Sequence, residues 1–201
     1  MKTLLQIKSS LNGSSGQSSQ LSHLFSERWM GENPEGTVVT RDLAQTPVPH
    51  LDAERFAAFL TKHSERSERE QSIVAFSDKL IDELRTADVI TIGLPMYNLG
   101  IPSTLKAYFD HIARAGVTFQ YTTHGPQGLL ANKPVYILAA RGGVYSGTQA
   151  DSQSGYMKTF LNFIGLTDVQ FVYAEGLNMQ EDIRSHALLE ATKEIKKLAA
   201  A

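Results

Sequence analysis

The chain contains no cysteine, which excludes disulfide scaffolds, thiol nucleophiles and cysteine-ligated zinc or iron–sulfur sites. It also lacks long blocks of one charge: 19 Lys and Arg stand against 21 Asp and Glu, so neither nucleic acid nor an anionic membrane is indicated. No apolar run reaches the ~20 residues of a membrane-spanning helix, and the first apolar run is too short for a secretory signal. We therefore expect a cytoplasmic enzyme or carrier, and any redox chemistry must come from a bound organic cofactor.

Short apolar runs alternate with segments of helical periodicity along the sequence. The runs that we predict to be strands are 4–7, 37–40, 89–93, 135–139 and 169–173. Helices are predicted over 18–30, 68–85, 103–114, 155–165 and 183–198. This alternation predicts an α/β fold with a parallel sheet and helices on both faces. With no linker in sight, residues 1–201 are expected to form a single domain, in which 146–155 is a mobile surface loop.

In such a sheet, ligands bind beyond the carboxyl ends of the strands, so the loops after the first, third and fourth strands matter most. The first loop, 9–19, is rich in Ser and Gly and leads into a helix. Free N–H groups at a helix N-terminus bind phosphate well, although an N-capped helix after a flexible loop explains the same residues. The loop has neither a P-loop lysine nor the dinucleotide-binding glycine spacing.

The other two loops carry groups that suit a planar ring. After the third strand, Pro95 restricts Leu94 to extended backbone, and Asn98 offers both a donor and an acceptor for the edge of a flavin pyrimidine. After the fourth strand, Gly142 and Gly143 let backbone N–H groups approach a ring closely. The loop after the third strand could instead be an ordinary strand-to-helix turn. The two glycines after the fourth strand could simply mark a tight loop.

Several motifs occur together in one order: Pro95-Met96-Tyr97-Asn98, Leu105-Lys106, Ala113 through Phe119, Ala140-Arg141-Gly142-Gly143 and Phe160 through Gly165. With them the chain resembles the bacterial FMN-dependent azoreductases, which are relatives of the flavodoxin-like quinone reductases. The resemblance implies a flavodoxin-like three-layer sandwich whose five-stranded parallel sheet has the order 2-1-3-4-5. It also implies a homodimer with one tightly bound FMN per subunit, near the subunit boundary.

The resemblance also implies a set of binding residues. Those for the FMN phosphate are Ser10, Gly16, Gln17 and Ser18; those for the isoalloxazine are Met96, Tyr97, Asn98 and Leu99, with Ala140, Arg141, Gly142 and Gly143 at its other edge. Planar substrates would meet Tyr97, Asn98, Tyr121 and Phe163, although Tyr121 and Phe163 could equally be core or interface aromatics. Family members commonly have serine where Gly16 and Ala140 stand here, an aromatic at Leu99 and histidine at Tyr145.

The implied activity is that of an FMN-dependent NADH:quinone oxidoreductase that also cleaves aromatic azo bonds. NADH and the acceptor would use one flavin face in turn, which is a ping-pong mechanism, and flavin N5 rather than a side chain would carry the chemistry. A flavodoxin-type electron carrier is the main alternative, but the near-neutral charge and the insert over 46–69 favour an enzyme. A hydrolase is the second alternative, but the sequence contains no Gly-x-Ser-x-Gly motif of the kind that carries a catalytic serine. The six histidines show no paired ligand spacing, so no metal is expected.

Overall fold

The computed structural model describes residues 1–200 and contains a central parallel sheet with helices on both faces. The strands are β1 (Thr3–Lys8), β2 (Thr37–Asp42), β3 (Val89–Pro95), β4 (Phe119–Thr122), β5 (Gly125–Gly128), β6 (Val135–Ala140) and β7 (Val169–Ala174). The helices are α1 (Gln17–Glu32), α2 (Ala53–Leu60), α3 (Glu68–Thr86), α4 (Ser103–Ile112), α5 (Ser154–Ile164) and α6 (Glu181–Leu198). Every predicted strand and helix is therefore present.

The main sheet has the strand order β2-β1-β3-β6-β7, and each neighbouring pair is parallel. Counted over the five predicted strands, this is the order 2-1-3-4-5, and the predicted flavodoxin-like arrangement is confirmed. The chain crosses from one side of β1 to the other between β2 and β3, which opens a crevice at the carboxyl ends of β1 and β3.

Two apolar clusters, one on each face of the sheet, make the three layers. On one face, Ile90 and Ile92 pack with Leu80 of α3 and Phe109 of α4. On the other face, residues such as Leu4 and Leu138 pack with Phe25 of α1 and Ile195 of α6. Because β3 and β6 are covered on both sides, they are apolar along nearly their whole length.

Local sequence signals set where several helices begin and end. The Ser67 hydroxyl accepts from the Glu70 N–H while the Glu70 carboxylate accepts from the Ser67 N–H, a capping box that starts α3. Gly165 ends α5 with a φ of 105°, a left-handed conformation that favours glycine. No helix in residues 1–200 combines the length and the hydropathy needed to cross a bilayer.

One helix and one two-stranded hairpin were absent from the sequence-based prediction. Helix α2 lies in the insert over 46–69, where Asp52 caps it by accepting from the Arg55 N–H at 2.8 Å. Strands β4 and β5 form an antiparallel hairpin outside the main sheet. The hairpin packs closely on the end of α5, since a Cβ built on Gly128 would lie 2.1 Å from the Gly165 nitrogen.

Candidate active site

The loops after β1 and β3 are tied together at the carboxyl end of the sheet. The Ser9 hydroxyl donates to the Gly93 carbonyl at 2.7 Å, and the Leu11 N–H donates to the Tyr97 hydroxyl at 3.0 Å. The Ser10 hydroxyl lies 3.4 Å from the same Tyr97 oxygen. Tyr97, predicted as ring surface for a flavin, thus also fixes the position of the first loop.

The start of α1 has the properties of an anion site. Its N-cap residue is Gly16, which makes no side-chain cap, and its first turn contains no acidic residue. The hydroxyl of Ser18 is buried and has no hydrogen-bond partner among the described residues. An unpartnered buried hydroxyl next to free helix N–H groups fits a phosphate group, which accepts several hydrogen bonds at once.

The missing side chain at Gly16 is explained by Ser10. A Cβ built on Gly16 would lie 2.1 Å from the Ser10 hydroxyl oxygen and 2.8 Å from Ser10 Cβ. The Ser10 side chain therefore occupies the space that a side chain at position 16 would need. A hydroxyl thus stands next to the backbone of Gly16 at the start of α1.

The loop after β3 makes a tight turn over residues 97–100. The N–H of Tyr97 donates to the Gly100 carbonyl at 3.2 Å, and the Gly100 N–H donates to the Tyr97 carbonyl at 2.9 Å. The central residues, Asn98 and Leu99, both have left-handed backbone, with φ of 49° and 59°. This is the pattern of a type I′ turn, and it is unusual for leucine. Leu99, at the tip of this turn, is 58% exposed.

The loop after β6 presents backbone donors. The carbonyls of Gly142 and Gly143 accept at 3.0 Å from the N–H groups of Asn178 and Gly176, in the loop after β7. The N–H groups of both glycines donate to no acceptor within residues 1–200. A Cβ on Gly142 would lie 2.5 Å from the Asn178 side-chain nitrogen, so a larger residue here would have to push the Asn178 amide aside. The segment can therefore donate from its backbone to a ligand edge.

A cleft of about 460 Å³ separates these loops. Its lining residues are Met96, Asn98, Leu99, Gly142, Gly143, Tyr145 and Asn178. This lining combines backbone donors, the side-chain amides of Asn98 and Asn178, and apolar side chains. Such a combination suits a planar aromatic ring with a polar edge. Asn178 was not predicted near the site, and Tyr145 entered the prediction only as a departure from the family pattern. The loop after β7 was left out of the prediction, although it ends at the same edge of the sheet.

The side chain of Arg141 turns away from the cleft. It is fully buried and forms ion pairs with Glu175 at 3.0 Å and Asp151 at 3.1 Å. Its N–H donates to the Ala174 carbonyl, and its own carbonyl accepts from the Leu177 N–H. Arg141 therefore ties the loops after β6 and β7 together, and its contact with a flavin edge stays a prediction. Ala140 also lies below the cleft, where its carbonyl accepts from the Met96 N–H at 3.3 Å.

Tyr121 and Phe163 lie outside the cleft of their own chain. The Tyr121 side chain is 76% exposed on the hairpin, and both aromatics contact Phe119, with ring centroids 5.6 Å and 4.2 Å away. The structure therefore does not bring them together with Tyr97 and Asn98 within this chain. Within residues 1–200, no group of His, Asp and Glu is arranged as a metal site.

The segment expected to be a mobile surface loop is anchored at its far end. Asp151 accepts from the N–H groups of Gln153 and Ser154, at 3.1 and 3.0 Å, and from the Ser154 hydroxyl at 2.7 Å. Burial alone would raise the pKa of Asp151, but the hydrogen bonds from Ser154 and Arg141 outweigh it and lower the pKa to about 2. This part of the loop is a structural junction.

The lowered pKa predicts an acid-sensitive contribution to stability. Because the folded-state pKa of Asp151 lies below its ordinary value of 3.8, the contribution is present above about pH 4 and is lost as the pH falls toward about 2. Its size is about 2 kcal/mol. Urea unfolding at several pH values across this range should show that the free energy of unfolding falls less with acidification in Asp151→Asn than in the wild type. Equal losses in both proteins would contradict the prediction.

Comparisons with known proteins agree with this geometry. A family model described as a flavodoxin-like fold matches residues 1–199. The chain is 58% identical over 201 residues to an FMN-dependent NADH:quinone oxidoreductase of Cellvibrio japonicus, with 100% of both chains covered. It is 53% identical over 192 residues to one of Alcanivorax borkumensis, with 96% of this chain and 97% of that one covered.

Solved structures give the same relationship. The azoreductase of Bacillus anthracis superimposes with a TM-score of 0.91 at 30% identity, covering 100% of this chain and 99% of that one. An FMN-dependent NADH-azoreductase from the same species, solved in complex with FMN, has a TM-score of 0.89 at 27% identity, with 100% and 98% covered.

Proposed function

Because this chain belongs to the family of FMN-dependent NADH:quinone oxidoreductases with a flavodoxin-like fold, we propose that it reduces quinones by two electrons and cleaves aromatic azo bonds to amines. FMN is the cofactor and NADH the electron donor. The observation that carries the proposal is full-length similarity to named oxidoreductases together with a cleft whose loops fit the cofactor.

The residues divide between the two ends of FMN. The N–H groups at the start of α1, with Ser10, Gln17 and Ser18, would hold the phosphate, and Gly16 leaves room for the Ser10 hydroxyl. Met96, Tyr97, Asn98 and Leu99 would line the ring, and the free N–H groups of Gly142 and Gly143 would meet its other edge. Ala140 and Arg141 would support the ring from below.

When bound, FMN supplies the redox chemistry by taking a hydride from NADH and giving two electrons to the acceptor. The N–H groups of Gly142 and Gly143 are placed to stabilise negative charge at the ring edge. Among residues 1–200, no carboxylate, Lys, Arg or His side chain lines the cleft, so the chain would bind and orient its substrates and leave the protons to water. Donor and acceptor share one open face in turn, which gives ping-pong kinetics. An azo bond needs four electrons and so two such rounds.

The chain would work as a homodimer in which a second copy completes each cleft. Tyr121 is exposed and does not line the cleft of its own chain, while Phe163 lies in the same aromatic cluster. Tyr121 and Phe163 of the second copy would supply a wall against which planar substrates stack. A cytoplasmic location and a single domain over residues 1–201 stay predictions.

Anaerobic mixing with NADH tests the proposed activity against that of an electron carrier. We expect the yellow FMN-loaded protein to bleach rapidly on addition of NADH and to regain its colour when a quinone is added. Initial rates at several quinone concentrations should give parallel double-reciprocal lines, as two separate half-reactions require. Retained FMN without bleaching would instead support the carrier, and a protein that retains no FMN would overturn both functions.

A further inference from the structure

The side chain of Gln153 joins two loops of the site from behind. It is 0% exposed, and its amide nitrogen donates to the carbonyls of Pro95 and Gly100, both at 2.9 Å. Its amide oxygen accepts from Arg141 Nε at 3.1 Å. Both amide hydrogens and the oxygen are therefore used, and every partner lies in or beside the loops after β3 and β6.

The preceding residue contacts the same turn. The hydroxyl of Ser152 donates to the carbonyl of Leu99. Ser152 and Gln153 together, here called the 152–153 clamp, thus bind three carbonyls of the segment 95–100. Neither residue lines the cleft.

The turn needs such support because of its backbone conformation. Left-handed backbone costs a residue with a Cβ about 1–2 kcal/mol, and only Gly, Asn and Asp adopt it readily. Leu99 has no such tolerance, yet its φ is 59°. Inside the turn, the N–H groups of Tyr97 and Gly100 each donate to the other residue's carbonyl. The carbonyls of Pro95 and Leu99 accept their hydrogen bonds from the clamp. Without the clamp, the segment would be free to leave this conformation.

We propose that Ser152 and Gln153 are positioning residues that hold the turn 97–100 in the shape that binds the flavin ring, and so set ring affinity without touching the cofactor. This inference rests on the proposed function, since it assigns the ring to that turn. The clamp acts on the loops after β3 and β6, whereas the proposed phosphate site is at the start of α1. Its loss should therefore weaken ring binding and leave phosphate binding unchanged.

The test compares FMN with riboflavin, which has the same ring and no phosphate. Fluorescence titration of flavin-free protein should give a Kd for Gln153→Met that is raised about tenfold for both ligands. Ser18→Ala should raise the Kd for FMN alone. Gln149→Met, the same change at an exposed glutamine of the same loop, is the matched control and should leave both Kd values unchanged. Amide hydrogen exchange in the segment 96–100 should be faster in flavin-free Gln153→Met than in the wild type.

Unchanged riboflavin affinity, or unchanged exchange in that segment, would overturn the proposal. If Gln153→Met fails to fold, Ser152→Ala carries the test, because it removes one exposed hydroxyl; we expect the same changes at about two- to threefold. Ser152→Ala with wild-type exchange and affinity would also overturn it. Exchange is measured without flavin, so it reports on the clamp even if the wild type binds no flavin, an outcome that would defeat the proposed function instead.

Discussion

Arg141→Met is expected to lower the free energy of unfolding by about 3–5 kcal/mol, because it leaves two carboxylates without their shared cation. The guanidinium is fully buried and pairs with Asp151 and Glu175, whose side chains are 8% and 11% exposed. It also donates to the side chains of Gln153 and Ser154. Methionine fills much of the volume but replaces none of these bonds, so the loss is electrostatic and not one of packing.

Urea unfolding followed by circular dichroism measures this effect. Arg28→Met, at an exposed arginine on α1, should change the free energy of unfolding by less than about 0.5 kcal/mol. Adding Glu175→Gln to Arg141→Met should recover part of the loss, since one unpaired carboxylate is then neutral. A loss below about 1 kcal/mol for Arg141→Met would show that solvent reaches these carboxylates and that the ion pairs matter little.

Gly128→Ala is expected to destabilise the chain by about 3 kcal/mol through a direct backbone clash. The new Cβ would lie 2.1 Å from the Gly165 nitrogen, 2.4 Å from its Cα and 2.4 Å from the Ile164 carbonyl carbon. None of these is a flexible side-chain end, so the hairpin would have to move away from α5. Phe119 and Tyr121 are on that hairpin, and their contacts should loosen with it.

Gly155→Ala provides the matched comparison. Gly155 lies in the first turn of α5, and a Cβ there would meet nothing within 4 Å. Alanine favours helix over glycine, so this change should be neutral or stabilising by up to about 1 kcal/mol. Thermal unfolding of both variants makes the comparison directly. If Gly128→Ala melts at the wild-type temperature, the close approach of the hairpin to α5 is wrong.

The sequence predicted the main sheet well because buried parallel strands leave a strong signal. The run 135–139 is continuous and apolar, and the structure places β6 at Val135–Ala140. The predicted helix 68–85 ends one residue before the observed end of α3, since the apolar stripe of this helix is long and regular. The hairpin left no such signal: β5 is Gly-Pro-Gln-Gly, a sequence typical of turns. Its strand geometry depends on β4 and on the contact with α5.

The sequence indicated which loops form the candidate site better than it indicated where individual side chains point. The position after β6 pointed to Gly142 and Gly143, which do line the cleft; that they bind the flavin ring stays a prediction. It could not show that the side chain of Arg141 turns inward, because its carboxylate partners Asp151 and Glu175 lie 10 and 34 positions later in the sequence. Gln153 was missed for a similar reason. A Ser- and Gly-rich segment is usually exposed, and only the fold reveals the carbonyls that this glutamine binds.

The hydrogen bond from the Leu11 N–H to the Tyr97 hydroxyl has a consequence for the thermodynamics of binding. Together with the buried Arg141, it orders the walls of the cleft while the protein folds, before any ligand arrives. Ordering one backbone residue costs about 1–2 kcal/mol of conformational entropy. A planar ligand that enters the cleft would therefore lose less conformational entropy than one that has to order these loops as it binds.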